Sequence, residues 1–483
     1  MSTKARSRPF RAELDSTDPG RAVRSVLIVS YAFPPQYDVS ARRAAKLCKY
    51  LPAAGWRPVV LTKEWTNEAP AEDRRVYALT SHPEARAELE DVEVVRTAYR
   101  TRDNALRRLH ERLGGAYASA ASQEPAERSA SRGNGWSPRV LARRALSLFA
   151  PAFGEFPDAF AGWVDTAVPT GVELVRQRSI DAICSLCPPA TAHVVAAEIS
   201  RKTGVPWVAQ FDDLFRFHVE NEPRAPWRWY ARRKNRRWLG RAQLAGAITP
   251  AMLDYVRRTY GLDGDVVMVG FDPEESPRVP RATHSRMRLV YTGSVYLDDH
   301  RPELLFEALE RVLSSRAGEA PIEVVFAGTR RDSELRQRLA RFPLASRACV
   351  FSERLSPRAT LELQREADAL ILFNYTASAG TYGTLSFPAK SFEYLNAGRP
   401  ILALPRDPGG WGDALLASTR TGVAVDTVEE VAVVLDQWLQ AWARDGTLPY
   451  DPDLDEIARY AQPRQAAKLA ALLDRAVAAR RRP

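Results

Sequence analysis

Lys390 and Glu393 are the residues whose types and spacing point most directly to chemistry. They lie three apart in the segment SFPAKSFEYLNAGRPILALP, Ser386 to Pro405, and residues at this spacing are neighbours on a helix. The N-terminus of a helix offers unpaired N–H groups and a positive dipole end to phosphate oxygens. Lys390 would add a full positive charge there, and the Glu393 carboxylate could accept two hydrogen bonds from a sugar diol. The pair suits a nucleoside diphosphate with its ribose, and the alternative is a surface ion pair worth about 0.3 kcal/mol.

The local sequence predicts where this helix begins and ends. Ser386 can cap it, and Pro388 fits its first turn, where a backbone N–H is not needed. Gly398 suits a left-handed stop, and Pro400 prevents the helix from continuing. The helix follows the strand-like run ILFNY, so its N-terminus is expected at the edge of a parallel sheet where ligands bind.

The first half of the chain alternates strand-like and helix-like runs, which is typical of a parallel α/β sheet. Seven apolar runs are predicted strands: SVLIVSYAF, RPVVLT, VEVVRT, IDAICSL, PWVAQF, LAGAITP and DVVMVG. Residues 101–143 break this pattern and are predicted to be an insertion. The order indicates one doubly wound domain over residues 25–270.

The same alternation starts again and predicts a second α/β domain over residues 288–450. Its predicted strands are RLVYTGSVY, IEVVFAG, ALILFNY and RPILALP. Residues 271–287 would link the domains, residues 1–24 would form a disordered tail, and residues 451–483 would form a C-terminal helix and basic tail. Ligands of open parallel sheets bind beyond the carboxyl ends of the strands, so a cleft between the domains is the predicted site.

The composition limits the class of protein. The 483 residues suffice for two domains, and 69 basic against 59 acidic residues favour anionic partners such as nucleotides or phospholipid surfaces. No apolar run reaches the ~18 residues that cross a bilayer, and the polar N-terminus does not resemble a secretory signal, so a cytoplasmic protein is expected. Cys184 and Cys187 form a CxxC motif, but prolines follow it where a redox motif would begin a helix, so redox chemistry is not favoured.

Several segments, in order, resemble glycosyltransferase family 4, whose members have the GT-B fold of two Rossmann-like domains facing each other across a cleft. SFPAKSFEYLNAGRPILAL is similar to the donor-sugar segment of that family, and LIVSYAFPPQYDVSARRAAKLCKYLPAAGWRPVVLT to its N-terminal strand, acceptor loop and helix. VYTGSVY resembles the start of the donor domain, and LQREADALILFNY the strand before the donor helix. Other segments resemble a subgroup that makes bacterial surface polysaccharides: FPDAFAGWV, SLCPPATAHVVAAEISRKTGVPWVAQFDDLF, AGAITPAM and GFDPEE.

The resemblance implies a retaining transfer of a sugar from a nucleoside diphosphate sugar to a hydroxyl of a glycan or lipid-linked acceptor. Glu393 would hold the donor ribose, and Lys390 the diphosphate. Gly293 would let the diphosphate approach the backbone of a tight turn, and Arg301 would be a second phosphate cation or an ordinary surface arginine. The leaving phosphate can itself accept the acceptor proton, so no protein nucleophile, no metal and no cofactor besides the donor substrate is expected.

The resemblance also exposes departures from the family pattern. The backbone of Leu385, Ser386 and Phe387 would meet the donor pyrophosphate or sugar, but Leu385 stands where the family often has a glutamate that contacts the transferred sugar. Asp213 would orient the acceptor or only cap the next turn, and Asp212 stands where related enzymes have arginine. These departures leave the sugar open and are compatible with a non-catalytic paralogue.

A basic segment from Arg224 to Arg241 contains eight basic residues and no acid. As a helix it would place four residues on one side, with most of the arginines elsewhere: Trp227, Tyr230, Ala231 and Trp238. Such a helix could lie on an anionic membrane surface and reach a lipid-linked acceptor, or it could pack its aromatic side on the first domain. Nucleic acid is not expected, because no known binding module accompanies these charges.

Two other functions stay open from the sequence. A nucleotide-sugar epimerase of the same fold would need acid and base groups around the sugar, and His193 is the histidine near a predicted strand end, although it also fits an ordinary helix position. A nucleotide-sugar-binding or scaffold protein would bind the donor without turnover. Assays of binding and of transfer distinguish these alternatives.

Overall fold

The computed structural model describes residues 22–36, 39–65, 89, 91–100, 157–158, 160–213, 225–275, 284–316, 321–329, 332–376, 385, 387–407 and 410–480. The chain divides into two compact units, Met1–Met268 with Gln465–Pro483, and Val269–Arg464. Residues 1–21 of the predicted tail lie outside the described residues. Arg24, the last residue assigned to the tail, is the first residue of the first strand. The predicted insertion also lies outside them.

A seven-stranded sheet forms the centre of the first unit, and all of its strand pairs are parallel. Its strands are β1 (Arg24–Val29), β2 (Trp56–Lys63), β3 (Glu93–Thr97), β4 (Ala182–Cys187), β5 (Trp207–Phe211), β6 (Leu244–Ala247) and β7 (Gly264–Val266). All seven predicted strands are present. Their order, β3-β2-β1-β4-β5-β6-β7, reverses direction between β1 and β4, and such a switch point is where open sheets bind ligands.

The last helix of the chain completes the core of the first unit. The helices here are α1 (Val39–Tyr50), α2 (Val164–Gln177), α3 (Thr191–Thr203), α4 (Ala225–Leu239), α5 (Pro250–Tyr260) and the C-terminal α14 (Gln462–Arg480). Leu469 and Leu473 of α14 lie in the same apolar cluster as Leu47 of α1. Asp474 accepts a hydrogen bond from Arg24 at 2.9 Å, which ties α14 to the first strand.

A six-stranded parallel sheet in the order β10-β9-β8-β11-β12-β13 forms the second unit. Its strands are β8 (Met287–Thr292), β9 (Ile322–Ala327), β10 (Cys349–Ser352), β11 (Ala369–Phe373), β12 (Ile401–Leu404) and β13 (Gly422–Ala424). The four predicted strands occupy the centre, and the edge strands β10 and β13 were not predicted. The strand order reverses between β8 and β11, which defines a second switch point.

The helices of the second unit alternate with these strands. They are α6 (Glu303–Ser314), α7 (Asp332–Leu339), α8 (Pro343–Ala348), α9 (Pro357–Glu366), α10 (Lys390–Ala397), α11 (Trp411–Thr419), α12 (Val428–Asp445) and α13 (Leu454–Ala458). Leu309 of α6 and Leu435 of α12 share one apolar cluster with Leu289 of β8. The predicted α/β class with two Rossmann-like parallel sheets is confirmed.

The chain passes from the first unit to the second between Met268 and Val269, and it returns to the first between Arg464 and Gln465. Phe271, inside the predicted linker 271–287, pairs with Ala461 within the second unit, and β8 begins at Met287. The predicted C-terminal segment 451–483 is shared, because α13 belongs to the second unit and most of α14 to the first.

Candidate functional site

Helix α10 begins at Lys390, later than the sequence predicts. Its N-cap residue, Ala389, makes no side-chain cap, and Ser386, the predicted cap, lies outside the described residues. Pro388 therefore precedes the helix instead of lying in its first turn, and its carbonyl accepts a hydrogen bond from the backbone of the first turn at 3.0 Å. Gly398 ends the helix in a left-handed conformation with φ 69°, as predicted.

The Lys390 ammonium reaches the turn that follows strand β8. Its Nζ donates to Oη of Tyr291 at 2.7 Å and lies 4.0 Å from the centroid of that ring. The Tyr291 hydroxyl in turn donates to the carbonyl of Ser294 at 2.5 Å. A Cβ at Gly293 would lie 3.3 Å from Nζ, and the φ of +97° at Gly293 is one that other residues rarely adopt. The fold thus brings Lys390 and Gly293 together at the carboxyl end of β8.

Burial lowers the pKa of Lys390 to about 7, and the Glu393 carboxylate opposes this shift. Removal of water disfavours the ammonium relative to the neutral amine. Both forms of Lys390 are therefore populated near neutral pH. A phosphate group at the same turn would favour the ammonium, so anion binding here would take up protons.

A chain of buried polar groups orients the Glu393 carboxylate. Nε2 of Gln364 donates to Oε2 of Glu393 at 3.4 Å and to Oγ1 of Thr292 at 3.0 Å. The backbone N–H of Thr292 donates to Oη of Tyr394 at 3.1 Å. Because Thr292 directly precedes Gly293, these hydrogen bonds connect the carboxylate to the turn that Lys390 reaches.

The other predicted donor residues are less closely tied to this turn. Arg301 is exposed and precedes helix α6. Leu385 is buried. The ring of Phe387 packs edge-on against Trp411 with centroids 4.6 Å apart, which anchors the chain just before α10.

In the first unit, Asp212 forms a buried ion pair with Arg43 of helix α1. Oδ1 of Asp212 lies 2.6 Å from Nε of Arg43, whose side chain is 1% exposed. Nη1 and Nη2 of Arg43 donate to the carbonyls of Met268 and Val267 at 2.6 and 2.9 Å. Burial raises the pKa of Asp212, while the charge of Arg43 acts to lower it. Position 212, where the sequence resemblance leads us to expect arginine, thus holds a carboxylate whose guanidinium partner comes from α1.

Asp213, the predicted acceptor-side residue, follows directly after this pair. Its backbone N–H donates to the carbonyl of Cys187 at 3.3 Å, and its carbonyl lies 3.8 Å from Sγ of Cys187. These contacts place Asp213 at the carboxyl ends of β4 and β5. The alternative role as a cap concerns residues 214–224, which lie outside the described part of the chain.

His193 and the two CxxC cysteines occupy core positions. Nδ1 of His193 lies 2.7 Å from Oγ of Ser185, and this oxygen accepts a hydrogen bond from Nε1 of Trp207 at 2.7 Å. Burial lowers the pKa of His193 to about 3, so the imidazole is neutral at physiological pH. Burial raises the pKa of the thiols of Cys184 and Cys187 and keeps them unreactive. Neither acid–base nor redox chemistry is favoured at these positions.

Helix α4 carries part of the basic segment and keeps one tryptophan in solvent. Trp229 is 65% exposed, and Cζ of Arg233 lies 5.8 Å from the centroid of its indole ring. Tyr230 and Trp238 are half-buried, and the side chain of Trp227 lies outside the described atoms. The helix therefore has a packed side and an exposed basic side.

We call the group of contacting residues where the sequence predicts donor binding the donor-side cluster; its members are Tyr291, Thr292, Gly293, Gln364, Lys390, Glu393 and Tyr394. Two of its residues were not identified from the sequence. Tyr291 lies in the run VYTGSVY, where it was assigned only to a strand, and Gln364 lies on a helix whose other residues are half-buried or exposed. A glutamine at the buried position of helix α9 is a usable signal, since buried amides need hydrogen-bond partners.

In the part of the chain that the structure describes, no helix combines the length and the apolar character needed to cross a membrane. Among the same residues, no group of three or more histidine, cysteine, aspartate or glutamate side chains could hold a metal ion.

No protein-family model matches the sequence, and no curated protein matches it. Solved structures resemble it at low sequence identity. The crystal structure of Anabaena HepE in complex with UDP and glucose has a TM-score of 0.51 at 14% identity, covering 93% of this chain and 95% of its own. The apo form of the lipopolysaccharide outer core galactosyltransferase WaaB has a TM-score of 0.51 at 11% identity, covering 94% and 99%. The N-terminal domain of Candida albicans trehalose-6-phosphate phosphatase has a TM-score of 0.54 at 11% identity, covering 94% and 97%.

Identities this low show the fold and leave the activity open. The solved structures compared include a galactosyltransferase and a domain of a phosphatase, so this fold alone does not identify one reaction. With its two parallel sheets and their strand orders, the chain has the α/β GT-B fold of two Rossmann-like domains.

Proposed function

We propose that this protein is a retaining glycosyltransferase, of the family 4 type, that moves a sugar from a nucleoside diphosphate sugar to a hydroxyl of a glycan or lipid-linked acceptor. Its place would be in the assembly of a bacterial surface polysaccharide or glycolipid. The observation that carries the proposal is the approach of the Lys390 ammonium to the turn at Gly293, with Glu393 on the same helix. Support also comes from the shared fold of HepE, which was solved with UDP and glucose.

The donor would bind at the carboxyl edge of the second sheet. Its diphosphate would lie against the backbone at Gly293, where Lys390 would exchange its hydrogen bond with Tyr291 for one with phosphate. Glu393 would accept hydrogen bonds from the two ribose hydroxyls, and Arg301 would supply a second cation from its exposed position. The backbone from Leu385 to Phe387 would border the pyrophosphate or the sugar.

The transfer needs no protein nucleophile in this proposal. The bond between the anomeric carbon and the phosphate oxygen breaks, while the acceptor oxygen bonds to the same face of that carbon. The departing phosphate oxygen takes the proton of the acceptor hydroxyl, and the products are the glycoside and a nucleoside diphosphate. Lys390 and the N-terminus of α10 stabilise the charge that develops on the leaving group. Asp213 would orient the acceptor, and neither a metal nor a cofactor is required.

A turnover assay tests this function against its two rivals. The protein is incubated with UDP-, GDP- and ADP-sugars and with membrane lipid extract as the acceptor, and nucleoside diphosphate release and lipid-linked sugar are measured. Formation of both products, lost in Glu393→Ala, is expected. Conversion of one nucleotide sugar into its epimer without release would support an epimerase. Binding without any turnover would support the hypothesis of a non-catalytic paralogue, which the leucine at position 385 suggested.

We also propose that helix α4 contacts an anionic membrane surface and so brings the protein, expected to be cytoplasmic, to a lipid-linked acceptor. The exposed Trp229 beside Arg233 combines an aromatic residue with a cationic one, as membrane-surface helices do. Each arginine near an anionic surface contributes about 1 kcal/mol, so Arg233→Gln with Arg237→Gln should reduce vesicle binding by roughly tenfold or more. Co-sedimentation with vesicles of phosphatidylcholine and phosphatidylglycerol measures this binding.

Matched charge changes elsewhere provide the control for this prediction. Arg341→Gln with Arg347→Gln removes two exposed arginines from the second unit, and vesicle binding should then change little. Equal binding of the wild-type protein to neutral and anionic vesicles would contradict a membrane role for α4. An equal loss from both arginine pairs would show a general charge effect.

A further inference from the structure

Gln364 is a buried residue of the donor-side cluster, and it is not one of the predicted donor-binding residues. It has 0% exposure and lies on helix α9. Its Nε2 contacts two acceptors, Oγ1 of Thr292 at 3.0 Å and Oε2 of Glu393 at 3.4 Å. Each of the two hydrogens on this nitrogen can therefore have an acceptor of its own.

The oxygen of the Gln364 amide, unlike its nitrogen, is not satisfied by hydrogen bonds within the described part of the chain. Oε1 of Gln364 is buried and has no hydrogen-bond partner among the residues that the structure describes. A buried polar atom without a partner destabilises the fold, and an apolar side chain of similar shape would avoid that loss. Stability of the core therefore does not explain why an amide occupies this position.

The charge of Glu393 explains the orientation of the amide. Rotating the amide by half a turn would bring Oε1 against the carboxylate of Glu393, and two acceptors would then repel each other. The amide is thus held with its N–H groups towards Glu393 and Thr292, and it in turn limits the rotation of the carboxylate. A carboxylate that must accept two hydrogen bonds from adjacent hydroxyls gains from such restraint, because less conformational freedom is lost on binding.

The second partner of the amide extends this restraint to the neighbouring turn. Thr292 is the last residue of β8, and its backbone N–H is held by Oη of Tyr394 at 3.1 Å. Gly293 follows, and Lys390 lies against it. The amide therefore bridges the turn that would hold the diphosphate and the carboxylate that would hold the ribose.

We propose that Gln364 is a positioning residue that fixes the Glu393 carboxylate for a ribose diol, so that the site selects ribonucleoside over 2′-deoxyribonucleoside diphosphates. This inference rests on the proposed function of the donor-side cluster and assigns it a sugar specificity. Gln364 acts through Glu393 and Thr292 and does not itself contact the nucleotide.

Calorimetric binding of UDP, GDP and ADP and of their 2′-deoxy forms tests the inference on the full chain. The wild-type protein should prefer the best-binding ribonucleotide to its 2′-deoxy form. Gln364→Met keeps the shape and removes both hydrogen bonds, and it should weaken ribonucleotide binding by roughly tenfold while 2′-deoxy binding changes little. Leu363→Met on the same helix is the matched control and should preserve the preference.

Gln364→Glu gives a second readout that packing alone would not produce. It places a carboxylate beside that of Glu393, so the two would share a proton, and ribonucleotide affinity should recover as the pH falls. In a Glu393→Ala background, Gln364→Met should no longer alter the preference for ribose.

The outcomes separate this inference from the proposed function. If the wild-type protein prefers ribonucleotides and Gln364→Met retains that preference, the positioning role is overturned and the donor site stands. If the wild-type protein binds no nucleoside diphosphate, both the positioning role and the proposed donor site are overturned. A preference lost in Gln364→Met and kept in Leu363→Met supports the inference.

Discussion

Replacement of Lys390 by methionine is expected to weaken UDP binding by roughly 10- to 100-fold at neutral pH, because hydrogen bonds from a charged donor to phosphate are lost. The wild-type affinity should also fall with rising pH. Burial holds the pKa of Lys390 at about 7 in the free protein, whereas phosphate binding requires the ammonium. Between about pH 7 and about pH 8.5 most of the ammonium is lost, so the affinity should decrease roughly tenfold. Calorimetry across this range measures both effects.

The sign of this pH effect distinguishes Lys390 from the nucleotide itself. The terminal phosphate ionises with a pKa of about 6, so its charge no longer changes above neutral pH. Lys390→Arg should bind UDP with little pH dependence, because a guanidinium stays charged. Lys390 is the only lysine of residues 269–464, so UDP protection against an amine-selective reagent provides an independent check. A pH-independent wild-type affinity would contradict phosphate binding by Lys390.

Replacement of Arg43 by methionine is expected to lower the free energy of unfolding of the first unit by about 3–5 kcal/mol. The substitution leaves the Asp212 carboxylate, which is 11% exposed, without its cation. It also removes the hydrogen bonds to the carbonyls of Val267 and Met268. Asp212→Asn in the same chain should restore part of the loss, because an amide is less costly to bury than an unpaired charge. Urea unfolding followed by tryptophan fluorescence measures the change.

An exposed ion pair in the same unit provides the control. Arg257 pairs with Asp254 at 3.0 Å and with Asp263 at 2.9 Å, and its side chain is 48% exposed. Arg257→Met should therefore cost less than about 1 kcal/mol. If Arg43→Met cost no more than Arg257→Met, the buried pair would have no special role in the first unit.

The central strands were predictable because their pattern is local. β8, β9, β11 and β12 are rich in aliphatic and β-branched residues, and they are buried along nearly their whole length. The edge strands β10 and β13 are short and only partly buried. Their sequences therefore lack the continuous apolar run by which a buried strand is recognised. Whether such a run pairs at all depends on the strand already in place beside it.

The start of α10 shows the same limit on a smaller scale. Its end at Gly398 follows from the conformational freedom of one residue and was predicted correctly. Its start at Lys390 was predicted too early, because Ser386 and Pro388 are compatible with a helix start without requiring one. The ring of Phe387, packed against Trp411, holds the chain ahead of the helix. That contact joins segments whose proximity no local pattern encodes.

The sequence by itself determined that two parallel α/β units are present and that Lys390 and Glu393 share one face of a helix, since strand and helix periodicities are properties of neighbouring residues. Only the tertiary structure decided what these side chains touch. Tyr291 meets Lys390 across 99 positions of sequence, and Gln364 meets Glu393 across 29. Likewise, Arg43 of α1 supplies the cation beside Asp212 after β5. Such partners are selected by burial, because most buried polar groups form a hydrogen bond with whatever partner the fold brings near them.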